Sequence, residues 1–175
     1  LIFSDGVAWK NGNPATGIVV VPAGVVSFKV TLPTIDDSII GAGQVLLNLG
    51  RHDDALARLQ AALDIGKKTL GPAHTLVGST LHAIAGVNLL LSRFSEAQQH
   101  FAQALLINEA ALGPAHPDVG RVGFGLSSCA LRQGRYEEGL RHAEQAVTIL
   151  RAALGPQSIQ SAAAIMNAGY AQLRL

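Results

Sequence analysis

Cysteine is nearly absent from this chain: Cys129 is the only one among 175 residues, so no internal disulfide can form. A reducing compartment fits that usage. Charge of either sign is scarce. Lys and Arg number 13 against 12 Asp and Glu, and a net charge of +1 leaves no electrostatic footprint for nucleic acid or an anionic membrane. No apolar run approaches the roughly eighteen residues that a membrane span requires. The opening Leu1-Ile2-Phe3-Ser4-Asp5 carries no basic stretch, so no signal peptide is expected and a cytoplasmic location is the expectation. Aromatic residues are few at 5%, whereas hydrophobic residues reach 49%, which argues against disorder throughout and suits closely packed helices.

What is present is a repeat. Gly71-Pro72, Gly113-Pro114 and Gly155-Pro156 follow one another at a spacing of 42 residues. Residues 71–112 laid over 113–154 give 16 identities without a gap, among them Arg93 over Arg135, Glu96 over Glu138, His100 over His142 and Ala104 over Ala146. Arg51, Ala55, Ala62, Ile65 and Leu70 bring residues 29–70 into the same register, and 155–175 supplies half of a further unit.

Each unit carries two helical patterns. Leu140, Ala143, Val147, Leu150 and Leu154 recur at spacings of three and four and so share one helical stripe. The patterns predict helices near 35–49, 53–70, 75–91, 95–112, 117–133, 137–154 and 158–173. Ser95-x-x-Gln98 is read as a capping box, and Thr34-x-x-Asp37 as a looser one. Gly71, Gly113 and Gly155 stand where a left-handed residue would close each helix, with Pro preventing its continuation. Short links such as Gly50-Arg51-His52 and Gly134-Arg135-Tyr136 make paired helices antiparallel, and Ala55, Ala97 and Gly139 permit their close approach. A lone hairpin cannot bury its stripe, so the units are expected to stack as an α-solenoid. Gly120, Gly123 and Gly125 fit this poorly, because each costs about 1 kcal/mol in a helix interior. Either close packing compensates or that helix is the soft part of the stack.

His116-Pro117-Asp118-Val119, Gln133-Gly134-Arg135-Tyr136, Gln145-Ala146-Val147-Thr148-Ile149 and Leu154-Gly155 together resemble the tetratricopeptide repeat in its 42-residue kinesin light chain form. The resemblance covers about residues 34–175. It implies an all-α, right-handed solenoid of antiparallel hairpins, with repeats at about 34–70, 75–112 and 117–154 and a half repeat at 158–175. Residues 1–33 stand outside it. Ile18-Val19-Val20-Val21 and Val25 to Val30 are β-prone around Pro22-Ala23-Gly24, which reads as a short hairpin or a linker.

Catalytic and metal motifs find little support. Gly66-Lys67-Lys68-Thr69 lacks the first glycine and the hydroxyl residue of a phosphate loop, and Gly41-Ala42-Gly43 lacks the third glycine of a dinucleotide turn. The recurrence of His74 with His116, and of His100 with His142, follows from the repeat, and no ligand spacing joins them. Cys129 reads as a small buried hydrophobe. Asp36-Asp37 and Asp53-Asp54 fit helix starts. No enzyme, cofactor or metal is expected.

The resemblance implies that the first helix of each pair lines a concave face. Its positions here are Asp37, Gln44 and Asn48; Ser79 and His82; Arg121, Phe124, Ser128 and Arg132; and Met166, Asn167, Tyr170 and Arg174. The paired asparagines that hold cargo backbone in kinesin-type repeats fall on His82-Ala83, Phe124-Gly125 and Met166-Asn167. Only Asn167 matches, which speaks against kinesin-type cargo recognition. Arginines beside Phe124 and Tyr170 point to an acidic peptide or protein segment as partner. The alternative is a sensory or regulatory array of a larger signalling enzyme, such as a kinase or signalling ATPase, whose catalytic domain lies elsewhere. Ile165 and Leu173 leave the last half repeat apolar, so self-association, or a continuing repeat, is expected there.

Overall fold

The computed structural model describes residues 51–175 and, as backbone alone, the strands β1 (Gly17–Val19) and β2 (Phe28–Val30). The strands pair antiparallel, with Ile18 opposite Lys29. The expected helix near 35–49, the Thr34 cap, and Asp37, Gln44 and Asn48 lie outside the described residues.

Six helices follow: α1 (His52–Thr69), α2 (Thr75–Leu90), α3 (Phe94–Leu112), α4 (Pro117–Arg132), α5 (Tyr136–Leu154) and α6 (Ile159–Arg174). Each packs on the next in sequence. In addition α2 meets α4 and α4 meets α6, whereas α1, α3 and α5 do not approach one another in the same way. The even-numbered helices therefore form an inner, closer-set layer and the odd-numbered helices an outer one.

Burial follows from that layering. An inner helix is flanked by its own partner and by the outer helix of the preceding unit. Thus α4 buries ten of its 16 residues, whereas α5, of 19, buries only Gly139, Ala143, Ala146 and Leu150. The main core joins Leu59, Leu63, Val77, Leu81, Ile84, Phe101, Val122, Leu126 and Cys129 across three units. Each large side chain buried this way contributes roughly 1.5–3 kcal/mol.

The three glycines of α4 are explained by contact. A Cβ on Gly125 would lie 2.5 Å from the Phe101 ring, and one on Gly120 would lie 2.8 Å from Leu150 Cγ. Gly123 sits against Ala146 at ordinary contact distance. Close packing is thus what offsets their helix-propensity cost.

Two local expectations are corrected. The Ser95 capping box does not form: α3 begins at Phe94, its N-cap is Arg93, and no side chain caps it. Gln98 turns instead to Arg135 and Glu138. Gly113 and Gly155 do have positive φ, 88° and 84°, but ψ of 157° and 161° is extended rather than left-handed helical. The chain leaves the helix stretched, which seats the next N-cap. His74 and His116 cap α2 and α4 through Nδ1, accepting from Leu76 N–H and Asp118 N–H at 3.2 Å. Ser158 takes the same place in the half repeat, its hydroxyl accepting from Ser161 N–H at 3.1 Å.

Candidate functional site

The inner layer is where the sequence-derived groove positions fall, and the structure sorts them into three groups. At the first, His82 of α2 packs edge-on to Phe101, with ring centroids 5.4 Å apart. Burial holds His82 below the usual histidine range, Arg121 of the next unit adds to this, and Asp118 opposes it. Arg121 does not stand free. Its guanidinium pairs with Asp118 one helical turn earlier, and Asp118 lies 3.5 Å from His116 Nδ1. The positive potential expected from Arg121 is therefore largely answered within α4. Ser79 is half-buried.

The second group joins α4 to α6. Asn167 Nδ2 donates to Ser128 Oγ at 2.9 Å. Ser128 in turn donates to the Phe124 carbonyl at 3.0 Å. Neighbouring Ser127, fully buried, donates to the Gly139 carbonyl at 2.8 Å. Phe124 is half-buried against the cluster of Ala146, Leu150 and Ala164. It is part of the packing between units rather than a free anchor.

The third group lies at the end of the inner layer next to the hairpin turns. Arg174 Nη2 donates to Tyr136 Oη at 3.0 Å, and its guanidinium carbon sits 5.2 Å from the Tyr136 ring centroid and 6.0 Å from that of Tyr170. The two tyrosines meet edge to face at 6.4 Å. Tyr136, at the start of α5, was not among the sequence-derived positions. Its only forewarning was its place after Gln133-Gly134-Arg135, since the residue it meets is 38 positions away. Arg132, in the place that Arg174 takes one unit later, is exposed and has no charged partner among the described residues. Met166 is 74% exposed and Tyr170 46%.

Among the described residues no three His, Cys, Asp or Glu side chains gather as a metal site. No described helix is long and apolar enough to cross a membrane. Burial pushes the Cys129 thiol up to about 11, so it stays protonated and packs as an apolar group. An open depression of about 450 Å³ at the α4–α5 turn is lined by Arg135, Tyr136, Glu138, Arg141 and Leu175 among others. Outside the groove, Arg135 binds Gln98 at 2.7 Å and pairs with Glu138, which ties α3 to α5 on the outer layer.

Two family models, each described as tetratricopeptide repeat, match residues 38–110 and 128–160. Among solved structures, BtubC (BKLC) from P. vanneervenii is similar at TM-score 0.69 and 18% identity, over 76% of this chain and 53% of that one. A Podosopora anserina protein named as a putative kinesin light chain, with nearly identical TPR-like repeats, is similar at TM-score 0.71 and 20% identity, over 79% of this chain and 65% of that one. A variant of that protein gives the same values. The chain thus spans roughly half to two thirds of the structures it resembles. None of the curated proteins matches it in sequence.

Proposed function

The chain belongs to the tetratricopeptide repeat family, whose repeats generally mediate protein–protein interactions, and from that premise we propose that its inner layer holds a peptide or protein segment of acidic character. The observation that carries this reading is the set formed by Arg132 and Ser128 on α4 and by Met166, Asn167, Tyr170 and Arg174 on α6, joined where Asn167 donates to Ser128. It offers one guanidinium without a charged partner among the described residues, exposed thioether and phenol surface, and a polar bridge between them. Aromatic and Arg side chains in such a set supply most of the binding energy of a small interface. A carboxylate against Arg132 is a charge-assisted contact in high dielectric, so it contributes little alone and is salt-sensitive. Specificity then comes from Met166 and Tyr170.

A peptide-array screen with the 175-residue chain tests this. Enrichment of Asp- and Glu-containing segments bearing an apolar residue is the expected result, with signal lost on Arg132→Ala together with Tyr170→Ala. Enrichment that ignores both charge and these substitutions would place the binding surface elsewhere.

A further inference from the structure

Arg132 and Arg174 hold one place in successive units, and so do Phe94 and Tyr136, and Ser128 and Tyr170. The two arginines nevertheless stand in different surroundings. Arg174 donates from Nη2 to the Tyr136 hydroxyl at 3.0 Å, and its guanidinium carbon lies 5.2 Å from the Tyr136 ring centroid and 6.0 Å from that of Tyr170. The two rings meet edge to face at 6.4 Å, which gives the guanidinium an aromatic frame to rest on. Among the described residues Arg132 has neither a side-chain hydrogen bond nor a ring contact; Phe94 offers no hydroxyl and Ser128 no ring. Phenols are neutral, so Tyr136 and Tyr170 order the Arg174 guanidinium without cancelling its charge. The Tyr136 oxygen is the acceptor in this bond. Its own hydrogen is thus left to donate, and a cation on the oxygen strengthens that donor.

We propose that Arg174 and Tyr136 form a preformed receptor for one carboxylate, an Asp or Glu side chain of the bound segment, with one oxygen accepting from the guanidinium and the other from the phenol. This rests on the reading of the inner layer as a surface for acidic segments, and it names where the acid is read. A carboxylate closing on Arg132 must first order a long side chain, whereas at Arg174 that ordering is complete before the ligand arrives. Arg132 adds charge at the neighbouring step, and Arg174 with Tyr136 adds fixed geometry. A singly charged group is favoured over a phosphate dianion, since the exposed Glu137 follows Tyr136 and, of the acidic pair there, Glu138 is the one answered by Arg135. Tyr170, 46% exposed, and Met166, one turn earlier on α6 and 74% exposed, then receive an apolar neighbour of the acid.

The probe is an acetylated and amidated hexapeptide with one Glu among leucines, so that the side chain is its sole carboxylate, beside a twin with Gln in place of Glu. Both are titrated into the 175-residue chain by NMR, following the Arg Nε–Hε and Tyr ring signals. The Glu peptide is expected to bind more tightly than its twin. Tyr136→Phe is expected to cut that ratio roughly threefold to tenfold while the salt dependence persists, since no charge is removed. Arg174→Gln should lower the ratio further and flatten the salt dependence. Phe94→Tyr, which brings a hydroxyl to the place beside Arg132, should raise the ratio. Tyr136→Phe keeps the ring, and phenylalanine already stands at that place one unit earlier, so the fold is retained, which circular dichroism verifies. A Glu preference untouched by Tyr136→Phe and Arg174→Gln but lost in Arg132→Ala would overturn the receptor and leave the acidic reading of the inner layer standing. A Gln twin that binds the unaltered chain as tightly as the Glu peptide, or no saturable shift with either, would overturn both. Phosphoserine at the place of the Glu, bound more tightly through the same two residues, would overturn the choice of a carboxylate.

Discussion

Gly125 of α4 lies so close to Phe101 of α3 that the space for its missing Cβ is the space that the ring occupies, 2.5 Å from ring carbons. Phe101 is 2% exposed and held between α2 and α4, so it cannot swing aside. Gly125→Ala is therefore expected to destabilise the stack by about 1–3 kcal/mol despite alanine's better helix propensity. Combining it with Phe101→Leu should cost less than the sum of the two single changes, because the smaller side chain frees the clash. Urea midpoints of the four proteins measure this; additive losses would show that ring and glycine are uncoupled.

Ser92 and Gly134 occupy one place in successive units, and both have positive φ, 59° and 75°. Each ends an inner helix in a six-to-one closure, with Arg93 N–H reaching the Asn88 carbonyl at 2.8 Å and Arg135 N–H the Ala130 carbonyl at 2.9 Å. Ser92 thus holds a conformation that costs an L-residue about 1–2 kcal/mol, of which glycine's greater unfolded freedom, about 0.5–1 kcal/mol, takes back part. Ser92→Gly should raise stability by up to about 1 kcal/mol, and Gly134→Ser should lower it by a similar amount. Thermal or urea melts decide it, and a loss on Ser92→Gly would contradict this account.

How much of this was legible beforehand follows from which signals are local. The 42-residue spacing located the hairpins, and helix limits from periodicity fall within about two residues of the observed ends for all six described helices. The cost of Gly120 and Gly125 was visible as propensity, but its compensation depends on Leu150 and Phe101 brought in from neighbouring helices. The Ser95 motif misled because a hydroxyl three residues before an amide fits a helix interior as well as a cap, and Arg93 had already turned the chain. In the groove, Asp118 stood one turn from Arg121 in plain sequence, so the pair that answers its charge was readable from i,i+3 spacing. The contact of Arg174 with Tyr136, and that of Asn167 with Ser128, join residues of successive units and have no local signature.

Histidine burial gives the stack a pH dependence. His82, His100 and His142 are each held below the ordinary value of 6.5, chiefly by burial. Lys67 adds to this at His100, Arg121 at His82, and the Arg141 and Arg135 charges at His142; Asp118, Glu96 and Glu138 oppose it in the respective cases. A depressed folded-state pKa means that below about 6.5 the unfolded chain takes up protons that the folded chain does not, so stability falls as pH drops through that value. The urea midpoint should therefore decline between about pH 7.5 and about pH 5. His82→Phe, which keeps an aromatic ring against Phe101, should flatten the decline. A midpoint that rises on acidification would refute the sign.

The charge pattern of the groove can be separated from its shape at Asp118. If acidic segments bind along the inner layer, Arg132 is the cation there without a charged partner among the described residues, Arg174 is shared with two tyrosines, and Arg121 is neutralised by Asp118. Asp118→Asn leaves the fold of α4 in place while releasing the Arg121 charge, at a small cost of about 0.3–1 kcal/mol from the helix start. Affinity for an acidic peptide should then rise, whereas Arg132→Ala should lower it. Exposed pairs contribute about 0.2–1 kcal/mol, so each change amounts to a factor of between about 1.4 and 5. Both effects should shrink in high salt, because the Debye length falls to about 3 Å at 1 M. Titration of one array-selected peptide into the three proteins at low and high salt measures all of this. Opposite shifts at low salt that converge at high salt would follow from the groove chemistry; equal affinities throughout would mean that charge on α4 takes no part in binding.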